Sequence, residues 1–255
     1  MTIIAVSSFK GGTAKTSTAL HLGAAICMKD KHKKVLLIDL DAQANLTTGL
    51  GFDPDEQDSM APVLQGEKTI DEVVLNTCVP NMQIVPADTW LERVEVSGAL
   101  ASDRYSHERL KEILRQLDYD YIFIDTPPSL CWLTESALIA SHHSLVCATP
   151  EFYSVKGLQR LALFIQNISE RHGTEVLGVV LSFWNPRGKS NDAFLSVIEQ
   201  TFPGKLLNAK IRRDIAVSEA TIYGKPIFET APKSRASIDY MELAQEILER
   251  NYVEV

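Results

Sequence analysis

The stretch Ile3-Ile4-Ala5-Val6-Ser7-Ser8-Phe9-Lys10-Gly11-Gly12-Thr13-Ala14-Lys15-Thr16-Ser17 leads from a β-branched run through a glycine turn into the apolar segment Ala19 to Met28. That order reads as strand, tight turn and helix. Backbone N–H groups gathered at a helix amino terminus favour an anion, a lysine there reaches terminal phosphates, and a following hydroxyl suits Mg²⁺. Lys10, Gly11, Gly12, Thr13, Ala14, Lys15, Thr16 and Ser17 are accordingly expected to cradle phosphate, with Thr16 on the metal. The bland alternative is a threonine-capped Gly-Gly turn; a strand before it and a helix after it weigh against that.

Outward from this loop, short β-branched runs recur at Val35 to Leu40, Met82 to Pro86, Tyr121 to Asp125, Ser144 to Ala148, Val176 to Leu181 and Lys205 to Ile211. Helix-like periods fall at Lys15 to Lys29, Ser106 to Leu117, Ser154 to Arg171, Asn191 to Thr201 and Ser237 to Asn251. Alternation of this kind predicts an α/β fold: a doubly wound, mostly parallel sheet with helices on both faces and ligands at the strands' carboxyl ends. The 255 residues are expected to form one domain, 1–255, with Gly51 to Asn81 a loop-rich insertion.

Composition narrows the class. The chain is 45% hydrophobic and 23% charged with a formal charge of -8, so it is not basic throughout. No run approaches the roughly 18 to 20 apolar residues of a membrane span. Lys10 and Lys15 ahead of Ala19 to Met28 imitate a secretory signal, but a phosphate loop and its helix explain the same residues. Cys27, Cys78, Cys131 and Cys147 lack disulfide or CxxC spacing, which fits a reducing cytoplasm.

Two strand ends carry carboxylates. Val35-Leu36-Leu37-Ile38-Asp39-Leu40-Asp41 places two acids at i and i+2, and Tyr121-Ile122-Phe123-Ile124-Asp125 ends in a third before Thr126-Pro127-Pro128. Acids at the end of a buried strand cost free energy unless a metal or hydrogen bonds compensate them. Turn capping is the alternative for each.

These residues together resemble the deviant Walker A group of P-loop ATPases (ParA, MinD and NifH), whose loop reads KGGxGK[ST] with a signature lysine at its start. Lys10 matches that lysine, and Gly11, Gly12, Lys15 and Thr16 match the rest; Ala14 stands where the family has glycine. The resemblance implies ATP and Mg²⁺ as ligands. It further implies Lys10, Lys15 and Asp41 as catalytic, with Asp41 orienting the attacking water, and Thr16, Asp39 and Asp125 about the metal. Lys10 would reach across a homodimer that sandwiches two nucleotides.

Further matches indicate the ParA branch of the short, Soj-like kind: Ala148 to Leu158 resembles P-x-E-Y-Y-A-L-E-G-L, and Ser218 to Ile227 resembles S-E-A-P-S-x-G-K-P-I. The loop starts within ten residues of Met1, so no N-terminal helix-turn-helix is expected. The branch implies non-specific double-stranded DNA binding, a ParB-like partner that stimulates slow hydrolysis, and a cytoplasmic, nucleoid-associated role in chromosome or plasmid segregation. Ser182 to Arg235 holds nine Lys/Arg against five acids, a net of +4 that leaves -12 elsewhere. Arg187, Lys189, Arg212 and Arg213 are the DNA-binding candidates, Ala216 standing where relatives carry an arginine. Three alternatives remain: a nucleotide-gated switch with turnover disabled by Ala14, a MinD-like positioning ATPase, and a P-loop metabolic enzyme. The acidic residues among Glu246 to Val255 argue against binding of anionic lipid. Cys131 lacks the companion that a NifH-type cluster needs.

Overall fold

The computed structural model describes residues 1–96, 106–150 and 154–253. Residues 151–153 of the Ala148 to Leu158 match, and Glu254 and Val255, lie outside the described residues. In chain order the elements are β1 (Thr2–Ser7), α1 (Lys15–Lys29), β2 (Val35–Asp39), α2 (Asn45–Gly49), α3 (Met60–Gln65), β3 (Leu75–Asn76), β4 (Met82–Val85) and α4 (Trp90–Val96). There follow α5 (Arg109–Leu114), β5 (Tyr121–Asp125), α6 (Trp132–Ala140), β6 (His143–Ala148), α7 (Ser154–His172), β7 (Glu175–Trp184) and α8 (Asn191–Thr201). Last come β8 (Leu206–Arg212), α9 (Ile215–Ile222), α10 (Ile227–Thr230) and α11 (Arg235–Val253).

The strands form one eight-stranded sheet in the order β3-β4-β2-β5-β1-β6-β7-β8. Every pairing is parallel except β3 with β4. Strand alternation divides the apolar residues between two cores. Ile3 and Ala5 of β1, Leu36 and Ile38 of β2, and Ile122 and Ile124 of β5 face α3 to α8. Ile4 and Val6, Val35 and Leu37, and Tyr121 and Phe123 face α1, α2, α9, α10 and α11. Each such side chain removed from water contributes roughly 1.5–3 kcal/mol. Both faces being covered is why these strands are apolar runs without polar alternation.

All seven expected strands are present. The two-residue β3 was missed, being too short for a period, and α6 was missed because Leu133, Ala137, Leu138, Ile139 and Ala140 are all buried, leaving little polar face. Two expectations need correction. The helix expected over Ser106 to Leu117 is a 3₁₀ turn at Ser106–Glu108 followed by α5, and Gly51 to Asn81 contains α3, capped by Ser59 Oγ accepting the Ala61 N–H at 3.1 Å, and β3.

β1 lies between β5 and β6, so the chain reverses its lateral direction there, and the crevice at β1's carboxyl end is where open sheets of this kind bind ligands. On the α1 side of β1, His21 is buried; its Nδ1 accepts the Ile227 N–H at 3.4 Å and its ring lies 4.9 Å from that of Tyr240. Burial pushes the imidazole pKa down to about 3, so the ring is neutral.

Candidate functional site

The loop between β1 and α1 is shaped by its own hydroxyls. Ser8 Oγ and Thr13 Oγ1 both donate to the Lys10 carbonyl, at 2.9 and 3.3 Å. Gly12 has φ 75 with nothing within 4 Å of a notional Cβ, so glycine is needed there for the backbone angle rather than for space. Ala14 has φ 64 and ψ 28, the left-handed conformation, at the residue preceding α1. An alanine there costs about 1–2 kcal/mol that glycine would not. The departure seen in the sequence is thus a backbone penalty. Lys15 is 6% exposed, and Lys10 is exposed.

Beneath the loop, Thr16 Oγ1 donates to Asp125 Oδ2 at 2.6 Å. Asp125 Oδ1 is buried and has no hydrogen-bond partner. Burial raises the Asp125 pKa; Lys15 and the Thr16 hydroxyl oppose the rise, and Asp41 adds to it. Two hydrogen bonds fix the strand ends: Thr126 Oγ1 donates to Val6 O at 2.9 Å, and the Leu40 N–H donates to Asp125 O at 3.0 Å.

Asp39 differs. Its Oδ2 accepts the Thr47 N–H at 3.0 Å and the Thr47 hydroxyl at 2.8 Å, and its Oδ1 accepts the Asp41 N–H at 3.1 Å. Thr47 Oγ1 in turn accepts the Ala87 N–H at 2.9 Å. Burial and then the charge of Asp125 raise the Asp39 pKa, against these donors. Asp39 and Asp41 are therefore not a matched pair: β2 ends at Asp39, which is fully buried, whereas Asp41 lies in the following turn, partly exposed, with Oδ1 accepting the Gln43 N–H at 3.0 Å.

The residues fit a divalent cation. A buried carboxylate oxygen without a donor, next to a second buried carboxylate, is a site short of positive charge, and its hard oxygens suit Mg²⁺. Among the described residues no group of three or more His, Cys, Asp or Glu could hold a metal. A cation here would therefore draw on Thr16 and Asp125 and complete its shell with phosphate oxygens and water.

The structure brings Lys15, Thr16, Asp125 and Asp39 together and leaves the basic candidates apart, on the β7–β8 edge. Arg187 and Lys189 are exposed in the turn after β7, and Arg213, just past β8, has its guanidinium 5.5 Å from the Phe183 ring. Arg212 is engaged: its backbone N–H and Nε donate to Asp239 Oδ2 at 2.8 and 3.0 Å, and Asp239 is 3% exposed.

Two contributors escaped the sequence reading. Thr47 was one polar residue among several after Asp41; the signal that could have found it is a buried acid in need of a donor. Phe9 fills the space left by Gly157 of α7, where an added Cβ would lie 2.4 Å from Phe9 Cδ1, and Arg160 sits 5.7 Å from the Phe9 ring. Together with Thr13, Cys147, Ala148, Thr149 and Leu158, Phe9, Lys10 and Gly157 enclose a cavity of about 100 Å³ beside the loop.

Residues 1–177 match the family described as AAA domain. A ParA family protein of Chlamydia trachomatis serovar D is 68% identical over 250 residues, covering 97% of this chain and 98% of that protein. The sporulation initiation inhibitor protein Soj of Bacillus subtilis is 33% identical, covering 96% and 97%. Among solved structures, cobyrinic acid a,c-diamide synthase from Mycobacterium smegmatis with bound ATP analogue and magnesium superimposes with a TM-score of 0.86 at 28% identity, covering 100% of this chain and 97% of that one. With a phosphate loop opening α1 at the sheet's reversal point and buried acids beneath it, the chain belongs to the ParA family of P-loop ATPases.

Proposed function

We propose that this ATPase, a single domain over residues 1–255, forms an ATP-dependent homodimer, binds double-stranded DNA non-specifically in that state, and leaves DNA after slow hydrolysis stimulated by a ParB-like partner. The cycle would serve chromosome or plasmid segregation. The observation that carries the reading is the Thr16–Asp125 hydrogen bond with Asp125 Oδ1 unpartnered beside the buried Lys15.

In this reading Lys15 and the N–H groups of residues 11 to 17 hold the phosphates of ATP, and Thr16 and Asp125 hold Mg²⁺. When bound, Mg²⁺ would offset negative charge on the phosphate oxygens. Asp41 orients the attacking water. Asp39 holds the Asp41 backbone in place and is itself held by Thr47, so it supports the water-orienting turn from outside the metal's ligands. Phosphoryl transfer depends mainly on such positioning and on cations placed where charge accumulates. Lys10 completes the neighbouring subunit's site, which makes dimerisation a condition of turnover.

The basic edge supports DNA binding through Arg187, Lys189 and Arg213, whose charges are exposed. Dimerisation doubles that surface, so retention on DNA follows the nucleotide state and weakens with salt. Size-exclusion with ATP and Mg²⁺, using Asp41→Ala to slow hydrolysis, tests the cycle. A dimer is expected with ATP and a monomer with ADP; a monomer in every nucleotide condition would remove the sandwich mechanism.

A further inference from the structure

The sheet's amino end carries a second, positively charged cleft that the nucleotide chemistry does not use. It has a volume of about 640 Å³ and is lined by Lys111 of α5, Arg115 just past that helix, Ser141 and His142 at the turn into β6, His143 of β6, His172 of α7 and Glu175 of β7, together with Met1 and Ile3. The phosphate loop is at the opposite end of β1, roughly 20 Å away by the rise of six strand residues.

Four lysines elsewhere are matched: Lys33 with Asp120, Lys34 with Asp118, Lys68 with Asp58 and Lys225 with Glu229. Among the described residues neither Lys111 nor Arg115 is in an ion pair. They are four apart, Lys111 in α5 and Arg115 at its carboxyl cap with helical φ -59 and ψ -23, so both project from one side of the helix. Glu175 is the one acid lining the cleft, against Lys111, Arg115 and three histidines. The like charges are felt: burial, then His143, the amino group at Met1 and Lys111 lower the pKa of His142. Asp120, which also feels that amino group, is held by Lys33.

Helix ends do not account for the cluster. Basic residues near helix carboxyl termini ordinarily satisfy carbonyls. Here two of those of α6 are already met, Ala137 O by Ser141 Oγ at 2.7 Å and Leu138 O by Thr174 Oγ1 at 2.7 Å. The last turn of α7 is closed by the Gly173 N–H on Ser169 O at 2.9 Å. Among the described residues no three His, Cys, Asp or Glu could hold a metal, so the cleft gathers no such ligand group. The Ile3 N–H donates to His142 Nδ1 at 3.0 Å, which fixes the neutral ring's proton on Nε2 and makes His142 a donor at every pH.

We propose that this cleft is a binding site for a small polyanion of the phosphate class, held by Lys111, Arg115 and His142. Unpaired cations and a pre-oriented imidazole donor in a concave site offer what a phosphate oxygen recognises, and the volume admits a pyrophosphate or larger. Glu175 is the opposing charge among the lining residues.

The test is calorimetric titration of pyrophosphate into the full-length Lys15→Ala variant, in which the phosphate loop is silenced, without Mg²⁺. Saturable binding is expected, weakened about tenfold or more when Lys111→Gln and Arg115→Gln are added. ATP hydrolysis by a Lys111→Gln, Arg115→Gln protein with an intact loop should stay at the unsubstituted rate, showing that the fold survives. Inorganic phosphate in place of pyrophosphate should bind more weakly. Absence of pyrophosphate binding, binding indifferent to the two substitutions, or retention of duplex DNA by this cleft without pyrophosphate binding would each overturn the proposal.

Discussion

The acid centre beneath the phosphate loop and the basic edge at β7–β8 are built on opposite principles. In the centre, Asp39, Asp125 and Lys15 are removed from water, and the two acids are held by named partners: Thr47 and the Asp41 N–H for Asp39, Thr16 for Asp125. On the edge, Arg187, Lys189 and Arg213 stand in solvent. A buried charge interacts through a low dielectric and has no water to replace a lost partner, so each group in the centre counts for much. Exposed charges are screened and interchangeable, and act by their sum.

The widest gap between the regions should appear in Lys15→Ala. Removing the ammonium proposed to face the phosphates is expected to lower ATP hydrolysis about 100- to 1000-fold in a phosphate-release assay, while the fold persists. A drop of less than tenfold would mean that the centre tolerates loss as the edge does.

Arg212 divides the edge from within. It is the basic candidate with a buried partner, so Arg212→Ala should strand Asp239 and cost about 2–3 kcal/mol in urea denaturation, an effect that Arg213→Ala should not reproduce. Equal midpoints for the two variants would place Arg212 with the exposed charges.

Next in size is an acid-dependent loss of stability from His21, buried without charge near the centre. Its folded pKa, about 3, lies below the unfolded value of 6.5, so the unfolded chain takes up the proton first. The stability gained by burying a neutral ring is complete above pH 6.5 and is lost as the pH falls toward 3, by up to about 1.4 kcal/mol per pH unit. Denaturation midpoints from pH 7 to 5 should therefore fall less steeply in His21→Phe than in the unsubstituted protein; parallel curves would refute the assignment.

The smallest effect belongs to the edge. Arg187→Ala should weaken duplex DNA retention only a few-fold and reduce the slope of log affinity against log salt by about 1, with hydrolysis in the absence of DNA unchanged. Complete loss of DNA binding from this one change would show a specific contact in place of a summed field.

The contrast also explains what was legible in advance. The centre announces itself because its chemistry needs particular residue types at particular spacings: Lys15-Thr16 opening a helix, Asp39 and Asp125 ending apolar strands. The strand runs were legible because both faces of the sheet are covered, which leaves each strand apolar throughout. The α6 helix was hidden by the same burial, its apolar residues showing no contrast. On the edge, the charge of +4 over Ser182 to Arg235 was visible, but Arg212 and Arg213 were indistinguishable as neighbours in the chain.

The sequence by itself determined the opening strand, turn and helix, the places of the three acids at or just after strand ends and the parallel sheet, because local chemistry and apolar runs are written along the chain. Tertiary structure alone decided that Ala14 sits at φ 64, that Asp39 is spoken for by Thr47 while Asp125 Oδ1 is not, that Arg212 belongs to Asp239, and that Lys111, Arg115 and three histidines share a cleft. The partners in these cases are separated by up to tens of residues, and whether a polar group finds a donor, a counter-ion or water depends on what the fold sets beside it.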